Sequence, residues 1–208
     1  MKHLIYILLF FPFSLTAQQQ LKLDSTFANH GVFLGSAEAG NDQMVSHSRT
    51  VGIQHDGKII IGGYSDVIGG DGWYFTLMRL DPSGQVDLSF GHNGVARVRI
   101  WEESQAEAMV IQPDNKIVLV GTAWGWHQNK YTSDMAIARF TADGLVDSSF
   151  SQDGFLRINA GTGYDEAKDV ILQPDGKIVL IGRSKTGFED SGWSIIRLLT
   201  DGTLDPTF

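Results

Sequence analysis

Short apolar runs alternate along this chain with clusters of Pro, Asp, Gly and Asn, and one such pattern is written three times. Residues 171–182 read I-L-Q-P-D-G-K-I-V-L-I-G, with near copies at 53–62 (I-Q-H-D-G-K-I-I-I-G) and 111–121 (I-Q-P-D-N-K-I-V-L-V-G). Two apolar runs joined by such a turn predict a β-hairpin that needs positive φ at its Gly or Asn. The second run of each copy, 59–61, 117–120 and 178–181, is apolar at consecutive positions. A strand of that kind is buried on both faces.

The match extends past the hairpin. Lys58, Lys116 and Lys177, Arg79, Arg139 and Arg197, and Phe90, Phe150 and Phe208 each recur at a spacing of about sixty residues. Each unit closes with an apolar run ending in Arg, a turn, and an acidic motif, as in R-F-T-A-D-G-L-V-D-S-S-F at 139–150; a stray closing motif, L-D-S-T-F, stands at 23–27. Within one unit four strands are expected, for example 94–100, 108–112, 116–122 and 135–140, which is the content of a propeller blade. A solenoid coil would be shorter, and a sandwich would not need the same unit three times. The expectation is an all-β, propeller-like repeat of four-stranded antiparallel blades: a partial repeat at 18–30, then blades at 31–90, 91–150 and 151–208. Closed propellers have about four to eight blades. Three blades therefore read as an incomplete propeller, part of a longer array or completed by self-association through its open ends.

The Q-P-D-G-K-I-V-L-V-G core, the R-L-x-x-D-G-x-L-D-x-S-F close and the spacing resemble the delta-60 repeat, a bacterial exported β-propeller-type repeat. The resemblance spans residues 21–208. It implies an extracellular or cell-surface repeat protein and carries no reaction with it. Departures fall in turns: Asn115 for Gly, His55 for Pro, and Ser151-Gln152-Asp153-Gly154 for an F-G-x-x-G opening.

Residues 1–17 have a basic start at Lys2, an apolar centre and a small Ala17, which is the pattern of a cleavable signal peptide. The apolar run is too short to span a bilayer, and none of comparable length follows. The mature chain is expected to be exported, with no membrane span. Acidic residues exceed basic ones, giving a formal net charge of −8, with no basic block. That removes the electrostatic footing of a nucleic-acid partner. The absence of cysteine excludes disulfides, thiolate metal sites and a cysteine nucleophile.

Neither a G-x-S-x-G, nor an H-E-x-x-H, nor a phosphate-cradling loop is present. No catalytic residue, cofactor or metal is expected, and the chain is read as non-catalytic. The recurrent Asp24, Asp87, Asp147 and Asp205 lack the D-x-D-x-D spacing of a calcium loop and are read as turn caps, with a calcium-stabilised structural repeat as an alternative. A polysaccharide-active enzyme with paired carboxylates between blades is another. The Arg residues are read as structural. The segments 63–72, 123–133 and 183–192 break the repeat, are expected to be loops, and carry the aromatic residues. Tyr64, Trp124, Trp126, His127, Tyr131 and Phe188 are candidate ligand-binding residues, because rings flanked by polar groups stack on sugars or anchor a protein partner. Trp73 and Trp193, beside the last strand of their units, are expected to be packed. The function these features suggest is recognition or scaffolding toward a protein or glycan at the cell surface.

Overall fold

The computed structural model describes residues 22–37, 44–67, 70, 72–161, 163–185 and 191–208. The expected leader at 1–17 and Phe188 lie outside them. Among the described residues eleven strands form three antiparallel sheets: β1 (Met44–Ile53), β2 (Ile59–Val67), β3 (Tyr74–Leu80) and β4 (Val95–Val98); β5 (Glu103–Ile111), β6 (Ile117–His127), β7 (Lys130–Phe140) and β8 (Phe155–Ile158); then β9 (Asp165–Leu172), β10 (Ile178–Lys185) and β11 (Ser191–Leu198). Each of the first two sheets runs in chain order, and the third in the order β11-β10-β9. The hairpin turns have the predicted geometry, with φ of 83° at Gly57, 64° at Asn115 and 83° at Gly176.

The sheets are out of frame with the sequence units. Strand 94–100, expected to open the second blade, instead closes the first as β4, where Val95 pairs with Met78; Phe155 likewise pairs with Ala138. The closing motif brings this about by bending the chain back along β3, so that the Arg79 amide donates to the Gly94 carbonyl and the Arg139 amide to that of Gly154. Each unit therefore gives its first strand to the sheet before it.

The sheets pack face to face. Ile117 and Leu119 of β6 join Ile60, Phe75 and Leu77 of the first sheet in one core, and Val118 and Val120 join Val170, Ile178 and Leu180 of the third in another. A strand between two cores must be apolar at every position, which accounts for the unbroken run at 117–120. The equivalent runs in the outer sheets are less completely covered, with Ile181 about half exposed. At the innermost strands a chain of ion pairs links all three sheets, from Arg49 to Glu107 and from Glu107 to Lys168, each at 3.8 Å.

Successive units are also stitched at their closing turns. Gly144, at φ 84°, receives the Phe90 ring of the unit before it so closely that a Cβ would lie 2.8 Å from the ring. Gly202 receives Phe150 in the same way, and Gly84 receives Phe27. Glycine is required in these turns by both the left-handed backbone and the approaching ring. Beyond Phe27, residues 28–37 lie against the outer face of the first sheet, where Phe27, Phe33 and Ala37 pack on Met78, Leu80 and Val95.

Candidate functional site

Among the described residues the longest strand pairing is that of β6 with β7. The segment 123–133, expected to be a loop, is strand to its tip, with register held from Ala123↔Asp134 to His127↔Lys130. Only Gln128 and Asn129 turn, at φ 48° and 62°. Two successive left-handed residues make the tight turn that suits the twist of paired strands. Along the extension, alternation places Trp124, Trp126 and Tyr131 on one face and His127 on the other.

On the first face Trp126 is 61% exposed and Tyr131 38%. Their rings meet edge to face at 5.6 Å. Tyr164, from just before β9, adds a third exposed ring and donates its hydroxyl to the Tyr131 carbonyl at 3.1 Å. Lys185 Nζ stands 5.9 Å from the Tyr164 ring centre. Glu102 and Glu103 lie behind: the Trp126 amide donates to Glu102 Oε1 at 3.3 Å. Partial burial of the Tyr131 phenol, with the charges of Glu103 and Glu102 beside it, raises its pKa above the usual value. Trp124 is half-buried beside these residues.

The opposite face is polar. His127, Thr132, Asp134, Arg157 and Asn159 line an open groove of about 620 Å³. Arg157 sits 3.8 Å over the Trp101 ring and 3.4 Å from Asp134, which also accepts from the Asn159 amide. Gly125 leaves the room that Trp101 fills, since a Cβ there would lie 2.4 Å from the indole.

Other candidate residues are placed differently. Tyr64 is only 7% exposed. It is stacked on His47 at 4.9 Å, edge-on to Trp73, and bonded through its hydroxyl to Arg49. It is a packed ring because 63–67 belongs to β2 and not to a loop. Trp193 departs from expectation in the other direction: at 96% exposure it covers nothing. Its position on β11 is that of Met135 on β7, which the next sheet covers. Tyr164 gives no signal in the sequence, since it lies in an unrepeated stretch and becomes notable only through its contact with Tyr131.

The repeated charged residues form a cluster in each unit. Asp147 Oδ1 accepts from the Ser149 amide and hydroxyl, while Oδ2 takes Arg139 Nε at 2.7 Å and Lys116 Nζ at 3.2 Å. Asp205 has the same arrangement with Thr207, Arg197 and Lys177. Asp87 pairs with Lys58 and lies 2.9 Å from Arg79 Nε, off the line of a hydrogen bond. Burial opposes the charge of Asp147, but the Ser149 bonds, Lys116 and Arg139 outweigh it and hold the pKa at about 2. The Arg residues then reach across the seam, Arg79 Nη1 to the Ala142 carbonyl at 2.8 Å and Arg139 Nη1 to that of Thr200 at 2.6 Å. An Asp oxygen shared between Arg and Lys serves as a structural counter-ion, and its lone pairs are already committed. Among the described residues no three His, Asp or Glu side chains converge as a metal site, and no helix is long and apolar enough to cross a membrane.

The repeated segment of hairpin turn, two strands and closing cluster is also what a comparison with known families recognises. The model described as "Domain of unknown function (DUF5122) beta-propeller" matches residues 54–90, 112–150 and 173–208. The chain belongs to this family. No curated protein matches it. Each DUF5122 match begins at the Gln before a hairpin turn and ends at the Phe of the closing motif, so it contains the Lys, Arg and Asp of the cluster. Trp126 and Tyr131 lie inside the second DUF5122 match, and Tyr164 lies between the second and third.

Proposed function

We propose that the chain is a non-catalytic, exported recognition or scaffold module of the delta-60 repeat kind, which presents the tip of the second sheet to a protein or glycan at the cell surface. The observation that carries this reading is the exposed ring set of Trp126 and Tyr131 on the β6–β7 hairpin with Tyr164, from just before β9, bonded to it. Rings held out of their own core, with carboxylates and a lysine at the margin, suit stacking on a sugar face or docking an apolar side chain. Export is supported by the pattern of residues 1–17. A non-catalytic role is supported by the state of the recurrent carboxylates Asp87, Asp147 and Asp205, which are bound by cations at the seams. The experiment is a screen of glycans and cell-surface proteins against the chain and a Trp126→Ala, Tyr131→Ala double variant of unchanged β content. Loss of each hit by at least tenfold is expected. Equal binding by both proteins would remove the tip as the recognition surface.

A further inference from the structure

The two faces of the β6–β7 hairpin differ in the charges that stand beside them. Glu103 pairs with Trp124 across β5 and β6, and Trp124 with Ser133 across β6 and β7. Cross-strand partners share a face, so Glu103 stands in one row with Trp124 and diagonal to Trp126, within reach of a long side chain. Glu102, one residue earlier, holds the Trp126 amide through Oε1. Asp165 follows Tyr164 directly. It is fully buried, takes the Ala160 and Gly161 amides on Oδ2, and pairs with no cation among the described residues. Its Oδ1 and the buried Ser133 hydroxyl, two residues along from Tyr131 on the same face, have no hydrogen-bond partner among the described residues. The polar atoms at the root of the rings are thus rich in acceptors and short of donors.

The cations nearby are set at the margin, committed to carbonyls, or on the other side. Lys185 Nζ stands 5.9 Å from the Tyr164 ring centre, at the margin away from Glu103. Arg99 Nε donates to the carbonyls of Trp101 and Glu102 at 2.9 and 3.0 Å. His127, Lys130 and Arg157 belong to the opposite face. The Tyr131 phenol registers the balance, since after its burial the charges of Glu103 and Glu102 raise its pKa. Surroundings that resist a phenolate attract a cation, and so does the π face of an indole.

We infer that the ring set takes a glycan carrying a free amino group, with the ammonium seated between the Trp126 and Tyr131 rings and the Glu103 carboxylate. This rests on the reading of the tip as a recognition surface and adds the charge and class of its ligand. The rest of the sugar suits the same surface. The C–H face of a pyranose covers an exposed indole, and its hydroxyls supply donors for the lone pairs that the Trp126 amide leaves open on Glu102. A lysine side chain offers one polar head on a narrow stem, which leaves those acceptors unmatched. A neutral sugar covers the rings but strips water from Glu103 without replacing it, which costs free energy.

Three β-linked tetrasaccharides separate these contributions: those of glucosamine, N-acetylglucosamine and glucose share one ring shape and differ in the group at one position. Binding to the chain is measured by titration calorimetry at about pH 5.5, where a sugar amine is charged and an ordinary carboxylate is ionised. The glucosamine tetramer is expected to bind at least tenfold more tightly than either neutral tetramer. Glu103→Gln, checked for unchanged β content, is expected to erase that preference and keep the binding of the neutral sugars, whereas Trp126→Ala is expected to weaken all three. Neutral tetramers that bind the parent as tightly as the glucosamine tetramer overturn the inference and leave the tip as a recognition surface. A preference that survives in Glu103→Gln overturns the seat of the ammonium. Tetralysine that binds as tightly as the glucosamine tetramer, with the same dependence on Glu103, overturns the glycan. No binding of the glucosamine tetramer at millimolar concentration also overturns the inference, while the recognition reading itself falls only if the Trp126→Ala, Tyr131→Ala double variant keeps every partner of the parent.

Discussion

Asp147 shows how a single side chain ties pH to the fold. Its native pKa of about 2 lies below the ordinary 3.8, so its contribution is fully present above pH 4 and is lost as pH falls toward 2. The displacement corresponds to roughly 2 kcal/mol. Chemical denaturation between pH 2 and 6 is expected to show an acid limb steeper in the parent than in Asp147→Asn, which is less stable at neutral pH but flatter below pH 4. An identical slope in both proteins would show that the carboxylate titrates alike in the folded and unfolded chains. Two turn glycines separate backbone strain from crowding. Gly57 has φ 83° but only a Pro82 carbon at 3.6 Å, so Gly57→Ala is expected to cost about 1 kcal/mol from the left-handed backbone. Gly144→Ala adds a 2.8 Å approach to Phe90 and is expected to cost about 2 to 4 kcal/mol. Urea midpoints measure the difference, and equal losses would mean that the Phe90 ring yields freely.

Strand β6 is the element on which both cores depend. Ile117 faces the first sheet and Val120 the third, about 10 Å apart along the strand. Ile117→Ala and Val120→Ala are each expected to destabilise by about 2 to 4 kcal/mol, and the double variant by their sum within about 0.5 kcal/mol. A large coupling energy in the double-mutant cycle would mean that the two cores relax into one another. This strand was legible in the sequence, because four consecutive apolar residues after a turn need cover on both faces, and an inner sheet supplies it. The tip of the same hairpin was not. Residues 123–133 read as a loop because Gly125 and the polar 127–130 stretch hide their alternation, whereas pairing with β7 carries the strand through them. The seven-residue strand β3 was legible, but its pairing with β4 was not. Strand pairing is decided by where the closing turn sends the chain, and periodicity does not record that. Tyr64 and Trp193 exchanged their expected exposures for a related reason: burial of a ring depends on what stands opposite, and neighbours in space are not neighbours in sequence.

For the whole molecule, the offset between sequence unit and sheet fixes where the chain can be cut. A chain ended after Ile158 keeps β8 paired with β7, while one ended after Phe150, at the sequence boundary, leaves β7 as an open edge. The longer piece is expected to keep a cooperative thermal transition and the shorter to melt lower or broadly. Identical melting would make β8 dispensable. The three DUF5122 segments could not disclose this, since they end where the repeat ends and exclude β4 and β8. The same offset bears on how such arrays grow. A unit duplicated in register donates one strand backward and accepts one from its successor, so an insertion at any boundary adds a whole sheet and leaves every existing pairing intact. The joints overlap as in coursed masonry, and array length can change by whole courses without a half-built wall in between.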